Sequence, residues 1–257
     1  GESIDIKRND IVVFVGPNNT GKSQALKDIF GLCERKIPTI IVSDISLTKD
    51  NALLAPFLDA IANITDHGSY ISCSMMGFSI NIPKNIEEQF AAEPEYGSFR
   101  NFFVVNLDTS ARLSICDAPI SIRLDAPKTH PIHYAAFESK YRKWLSESFS
   151  KAFGESITPN ILFGSVIPLC IGETIKTEIK TEEDTQKLIE EYANKLSEYK
   201  QVQYQGDGIR SFTGILLYLM LDYYCTFLID EPESFLHPPQ ANIMGRIIFA
   251  CGGCKKD

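Results

Sequence analysis

Positive charge is what this sequence has too little of. Its 25 lysines and arginines face 33 acidic residues, a formal net charge of −8. That argues against a surface coated in basic residues, although it leaves room for a local patch. No run of about 18 apolar residues occurs, so no membrane span is expected, and the first residues carry no signal-peptide pattern. Heptads are nowhere sustained, which excludes a long coiled-coil insertion, and no internal repeat or low-complexity stretch is found. Histidines number four. The single C-x-x-C pair, Cys251 and Cys254, has no second pair beside it, so neither zinc nor redox chemistry is expected there. The seven cysteines are scattered, odd in number and mostly in apolar surroundings, a pattern of reduced core residues in a cytoplasmic protein.

What is there is organised around residues 227–236, FLIDEPESFL. The continuous apolar run of Phe227, Leu228 and Ile229 predicts a strand covered on both faces in a parallel sheet. Asp230 and Glu231 then emerge at the carboxyl edge, where open α/β sheets bind ligands. Two adjacent carboxylates there are costly without a cation or a shared proton, and a Mg²⁺-nucleotide would supply the cation. Some two hundred residues earlier lies a second apolar run, residues 11–15 (IVVFV), read as another strand. It leads into Gly16, Pro17, Asn18, Asn19, Thr20, Gly21, Lys22 and Ser23, which fits the phosphate-binding pattern G-x-x-x-x-G-K-[ST]. A helical stretch containing Gln24 follows. Backbone N–H groups of such a loop cradle phosphates, the lysine reaches the β- and γ-phosphates, and the serine hydroxyl ligates Mg²⁺.

The 257 residues are ample for one large α/β domain, or for a domain plus an insertion. Residues 1–8 predict an edge strand and 37–42 a strand, whereas 53–64 have helical periodicity. Residues 70–82 and 102–122 alternate as antiparallel strands and hairpins do. After a proline break, 134–153 read as one long amphipathic helix with an aromatic stripe assigned to the core. Residues 157–171 are strand-like, 174–185 a hairpin candidate, and 184–199 a second amphipathic helix. Residues 205–210 read as a loop, and 211–224 as a very apolar helix running into the acid-bearing strand. Residue 1 is not a methionine, and the last residues follow a helix without a further strand, so the expectation is a fragment or the ordered part of something longer.

Between the two nucleotide motifs lies QGDGIRS, residues 205–211. Glycines at a helix start leave N–H groups open to an anion; the plainer reading is a helix cap served by Asp207. A phosphate loop, a glycine-rich loop with its helix, and a strand ending in Asp-Glu-Pro-Glu, in that order, resemble the ABC-type ATPase heads of the SMC and RecF class. GPNNTGKS, GDGIRSF and LIDEPESFLHPPQ together look most like the OLD (overcoming lysogenisation defect) ATPases and their prokaryotic defence relatives, including those of the Septu system and of retron effectors. These motifs span residues 16 to 240, nearly the whole chain.

The resemblance implies an α/β P-loop NTPase with an ABC-type head: a mixed sheet flanked by helices, an antiparallel β subdomain and a helical insertion. It divides the chain into a nucleotide lobe with the β subdomain (1–125), a helical insertion (126–204), and a signature and Walker B lobe (205–257). It implies ATP and Mg²⁺ as cofactors, Lys22 on the phosphates, and Ser23 and Asp230 on the metal, the latter through water. Glu231 would be the general base, and Gly206, Asp207 and Gly208 a signature loop capping the γ-phosphate held by an opposing subunit. Arg210 would contact phosphate or brace the interface, a structural salt bridge being the plainer reading, and packing or capping is the plainer reading of His237. The implied partners are a second copy of the chain, DNA, and a nuclease domain or partner; a retron relative would add a reverse transcriptase with its RNA–DNA product. The chain departs from the pattern in having Gly-Asp-Gly where transporters have Ser-Gly-Gly. The switch histidine and the dimer-bridging aspartate loop would lie beyond residue 257, and no TOPRIM acid cluster is present, so any nuclease activity is expected outside this chain. A RecF- or SMC-like repair or chromosome-maintenance head, and a nucleotide sensor with little turnover, remain alternatives.

Overall fold

In the computed structural model, which describes residues 3–7, 9–49, 54–92, 94–172 and 182–253, helices alternate with small sheets. The first helix, α1 (Lys22–Leu32), leaves the glycine-rich loop. It is followed by α2 (Leu54–Ile61) and by an antiparallel sheet of β1 (Asn63–Asp66), β2 (Tyr70–Met75) and β3 (Phe78–Pro83). β2 and β3 are joined by Met76 and Gly77, both at positive φ (51° and 81°). Two such residues give the tight hairpin whose twist matches its strands. Then come α3 (Ile86–Ala92), α4 (Arg100–Phe103), β4 (Val104–Leu107) and α5 (Thr109–Ser114), whose N-cap Asp108 accepts the Ala111 amide. An asparaginyl or aspartyl cap of this kind satisfies one of the open amides of a first helical turn.

Next are α6 (Pro131–Phe137) and α7 (Ser139–Phe153), then β5 (Ser156–Pro159), β6 (Leu169–Gly172), α8 (Glu182–Glu198) and β7 (Lys200–Gln201). β5, β6 and β7 form a second antiparallel sheet. The chain continues through α9 (Asp207–Leu219), β8 (Thr226–Ile229) and α10 (Pro238–Gly253). β8 returns to pair in parallel with β4, Leu107 opposite Ile229, and the Asp230 amide adds a further bond to the Leu107 carbonyl. The fold is thus mixed α/β, and the apolar core joins α9 (Phe212, Ile215, Leu216), α7 (Leu145, Phe149), β4 and the underside of β2. No described helix is long and apolar enough to cross a membrane.

Several expectations are corrected. Residues 11–15 join no strand ladder among the described residues, and Val13 and Val15 are 73% and 90% exposed. β8 pairs only with β4 there, so of its apolar run only Leu228 is buried. Residues 37–42 likewise form no strand; the amides of 40–42 are taken by a side chain, described below. The described part of the expected edge strand, residues 3–7, is irregular too. Residues 102–122 are a helix end, one short strand and α5 rather than hairpins, because Asp108 caps a helix directly after β4. The expected long helix is broken at Glu138, which is extended (φ −123°, ψ 117°). α9 begins four residues earlier than expected, at Asp207. The segment 126–204 carries the β5–β6–β7 sheet as well as helices. Of the hairpin candidate 174–185, residues 174–181 lie outside the described residues and the rest opens α8.

Candidate functional site

The loop of residues 16–23 folds tightly because two of its residues take left-handed backbone, Asn19 at φ 65° and Gly21 at φ 88°. Thr20 Oγ1 donates to the Pro17 carbonyl at 2.8 Å and closes the turn. Gly21 is the N-cap of α1 and allows a close approach, since a Cβ there would sit 2.8 Å from Ile41 Cδ1. No side chain caps α1 and no acid lies in its first turn. Its first amides and the positive end of its dipole are therefore left for an anion. Lys22 Nζ curls over the loop and donates to the carbonyls of Gly16 (2.7 Å) and Pro17 (2.8 Å), which puts a cation over the same concavity. Asn18 is exposed. Gln24, expected in the nucleotide set, has its Nε2 donating to Asp28 Oδ1 at 2.8 Å.

Asp28 itself was not among the candidates. It is almost fully buried, and its Oδ2 accepts the amides of Ile40 (3.1 Å), Ile41 (2.7 Å) and Val42 (3.1 Å). Burial pushes its carboxyl up, but the hydrogen bonds from Ile41, Gln24, Val42 and Ile40 outweigh this and hold it down at about 2. One carboxylate thus replaces a strand ladder in holding residues 40–42 against α1 and the loop.

The two halves of the sequence meet at Ser23. Its Oγ donates to Asp230 Oδ1 at 2.9 Å across 207 residues. Ser23 opens α1 and Asp230 ends β8, so the contact follows from α1 packing on the β4–β8 pair. A hydroxyl and a carboxylate oxygen this close are hard donors of the type Mg²⁺ takes when phosphate oxygens and water complete its shell. Among the described residues no cluster of three or more His, Cys, Asp or Glu that could hold a metal is found.

Glu231, beside it, sits at φ 45°, a backbone region uncommon for a residue with a Cβ. Its Oε2 accepts from Ser234 Oγ at 2.9 Å, and its carbonyl accepts the Ser234 amide at 2.9 Å. Below this turn lies Arg112 of α5, fully buried. Nη1 donates to the carbonyls of Asp230 (2.6 Å) and Glu231 (3.0 Å), and Nη2 donates to Thr109 Oγ1 at 3.2 Å. Burial pulls the guanidinium below its ordinary value, opposed by the carboxylates of Asp230, Asp108, Glu231 and Glu233. Sequence reasoning missed Arg112. Nothing in its neighbourhood, TSARLS, signals that this arginine points inward.

Gly206 caps α9 without a side-chain bond; Gly206 and Asp207 are exposed and Gly208 is half-buried. A Cβ on Gly208 would lie 2.7 Å from the Phe235 carbonyl, which places the α9 start against the loop that follows Glu231. Arg210 points the other way. Its Nη2 donates to the Leu113 carbonyl (2.9 Å) and to Asp117 Oδ1 (3.3 Å), so within one chain it ties α9 to α5 and does not meet the loop of residues 16–23. His237 precedes α10; its amide donates to Gln240 Oε1 at 3.2 Å and its carbonyl accepts the Ala241 amide, a capping position. Lys22, Ser23, Asp230 and Glu231 therefore belong to one locality, and residues 206–210 to the start of α9, exposed at Gly206 and Asp207. Comparison with family models, with curated proteins and with solved structures finds no match.

Proposed function

We propose that this chain is a P-loop NTPase with an ABC-type head, the ATP-binding and ATP-hydrolysing domain of an OLD-like antiphage defence system acting in the cytoplasm. The observation that carries this reading is the 2.9 Å contact of Ser23 Oγ with Asp230 Oδ1. It joins the last residue of a phosphate-loop motif to the first acid of a Walker-type strand. The open amides at the start of α1 and the Lys22 ammonium would bind the triphosphate. Ser23 would hold Mg²⁺ directly and Asp230 through water. When bound, the ion would neutralise charge developing on the phosphate oxygens. Glu231 would accept a proton from the attacking water as the oxygen adds to the γ-phosphorus and the bond to the β-phosphate oxygen breaks, giving ADP and phosphate.

Gly206 and Asp207, exposed at the start of α9, and the half-buried Gly208 would meet the nucleotide of a second copy. ATP would then lie between two heads and control a DNA-directed nuclease domain or partner. The test is ATP binding and hydrolysis by the wild-type chain and by Lys22→Ala. The variant should lose both; unchanged ATP affinity would remove the phosphate-loop assignment.

A further inference from the structure

Glu231 carries the most demanding backbone of the site, and something must hold it there. Left-handed backbone costs a residue with a Cβ roughly 1–2 kcal/mol, and such conformations persist only where surrounding contacts over-determine them. The φ and ψ of residue 231 are the two rotations between the peptide units bearing the carbonyls of Asp230 and Glu231. Arg112 Nη1 donates to both of these oxygens, at 2.6 and 3.0 Å. One nitrogen bridging the two carbonyls fixes both rotations together. The arginine is itself fixed. Nη2 is held by Thr109 at the start of α5, and the backbone of Arg112 packs against Gly214 of α9, where a Cβ would fall 2.1 Å from the Arg112 carbonyl oxygen. Burying a cation this completely is expensive, and its Nε finds no acceptor among the described residues. As a stability device the arrangement is poor; as a way to aim a carboxylate it is effective.

We infer that Arg112 is a positioning residue for nucleotide hydrolysis: it sets the backbone of Glu231, and so the direction of the carboxylate that receives the proton of water, without touching the nucleotide. The inference rests on the hydrolysis reading above. Because Arg112 lies on α5 and Arg210 of α9 bonds to the Leu113 carbonyl of that same helix, a shift at the signature end of α9 would reach Glu231 through this guanidinium.

The test compares wild type, Arg112→Gln, Arg112→Lys and Thr109→Val for MgATP affinity, kcat and urea-unfolding midpoint. In Arg112→Gln, kcat should fall by about 10–100-fold, the scale of a small misplacement of a catalytic group, while the Kd for MgATP changes by less than about threefold. Arg112→Lys, which keeps a buried donor and its charge, should recover part of the loss. Thr109→Val keeps the arginine but frees one end of it, and should lower kcat at least about twofold with Kd unchanged. It carries the test if Arg112→Gln does not fold. Wild-type kcat in Arg112→Gln or, where that variant is unfolded, in Thr109→Val overturns the inference and leaves the hydrolysis reading standing. So do parallel losses of affinity, turnover and unfolding midpoint. A wild-type chain that binds no ATP overturns both.

Discussion

Gly214→Ala offers a quantitative check on how the site is supported. Gly214 lies in the buried stretch of α9, and the carbon added there would sit 2.1 Å from the Arg112 carbonyl oxygen and 2.9 Å from the carbonyl carbon and Cα. All three are backbone atoms, so no side-chain rotation relieves the overlap. The separation falls about 1.3 Å short of ordinary contact, so α5 and α9 must move apart by roughly that amount. Forcing a methyl into a packed core costs about 1–3 kcal/mol, occasionally more. For a chain of this size that is a fall in Tm of about 2–12 °C, and in urea a lower midpoint at unchanged slope. Gly245→Ala is the control. It is a helical glycine of α10 with nothing within 4 Å of its would-be Cβ, so the change should stabilise by about 0.5–1 kcal/mol. Thermal and urea unfolding of both variants gives the answer. A Gly214→Ala protein as stable as wild type would refute the close α5–α9 contact, and with it the platform on which Arg112 stands.

Gly21→Ala should lose stability by about 1–2 kcal/mol and weaken ATP binding, because φ there is 88° and the new carbon would meet Ile41 Cδ1 at 2.8 Å; wild-type affinity by fluorescent-nucleotide titration would count against the loop geometry. Glu231→Gln should bind ATP, fail to hydrolyse it and accumulate as a nucleotide-bound dimer on size-exclusion chromatography; hydrolysis at the wild-type rate would place the general base elsewhere. His130 caps α6 by accepting the Ile132 amide at Nδ1 (3.2 Å), and burial, with His133 adding to it, pushes its pKa down to about 4. A histidine held neutral contributes stability that is complete above its ordinary value of 6.5 and is lost as pH falls from there towards 4. His130→Asn, which retains a capping oxygen, should flatten the urea midpoint across that window; an unchanged pH dependence would contradict this.

The parts of the site that were legible are those where chemistry is written locally. The phosphate-loop pattern fixes Gly21 and Lys22 by spacing, and the apolar run before Asp230 marks β8 because nothing else delivers two acids to a strand end. Hydrophobic pattern misleads where pairing decides the outcome. Residues 11–15 and 40–42 are rich in β-branched side chains, yet among the described residues one stretch makes no ladder and the other is held by the Asp28 carboxylate. α5 was hidden because Val104, Val105 and Leu107 carry a strand pattern up to its cap, and Asp108 with Thr109 is a helix start that the alternation overrides. The break at Glu138 has no glycine or proline to announce it. Arg112 was illegible for a different reason: an arginine in a short polar-looking helix is usually solvated, and only the return of β8, 118 residues later, turns it inward.

The most direct test of the proposed metal–nucleotide site is the Mg²⁺-dependent gain in ATP affinity, measured by calorimetry on wild type, Ser23→Ala, Asp230→Asn and the double variant. If the 2.9 Å contact between these residues marks one ion site, each single change should abolish most of the gain and the double variant should lose little more. A Mg²⁺ gain that survives in either single variant, or losses that add in full, would contradict it.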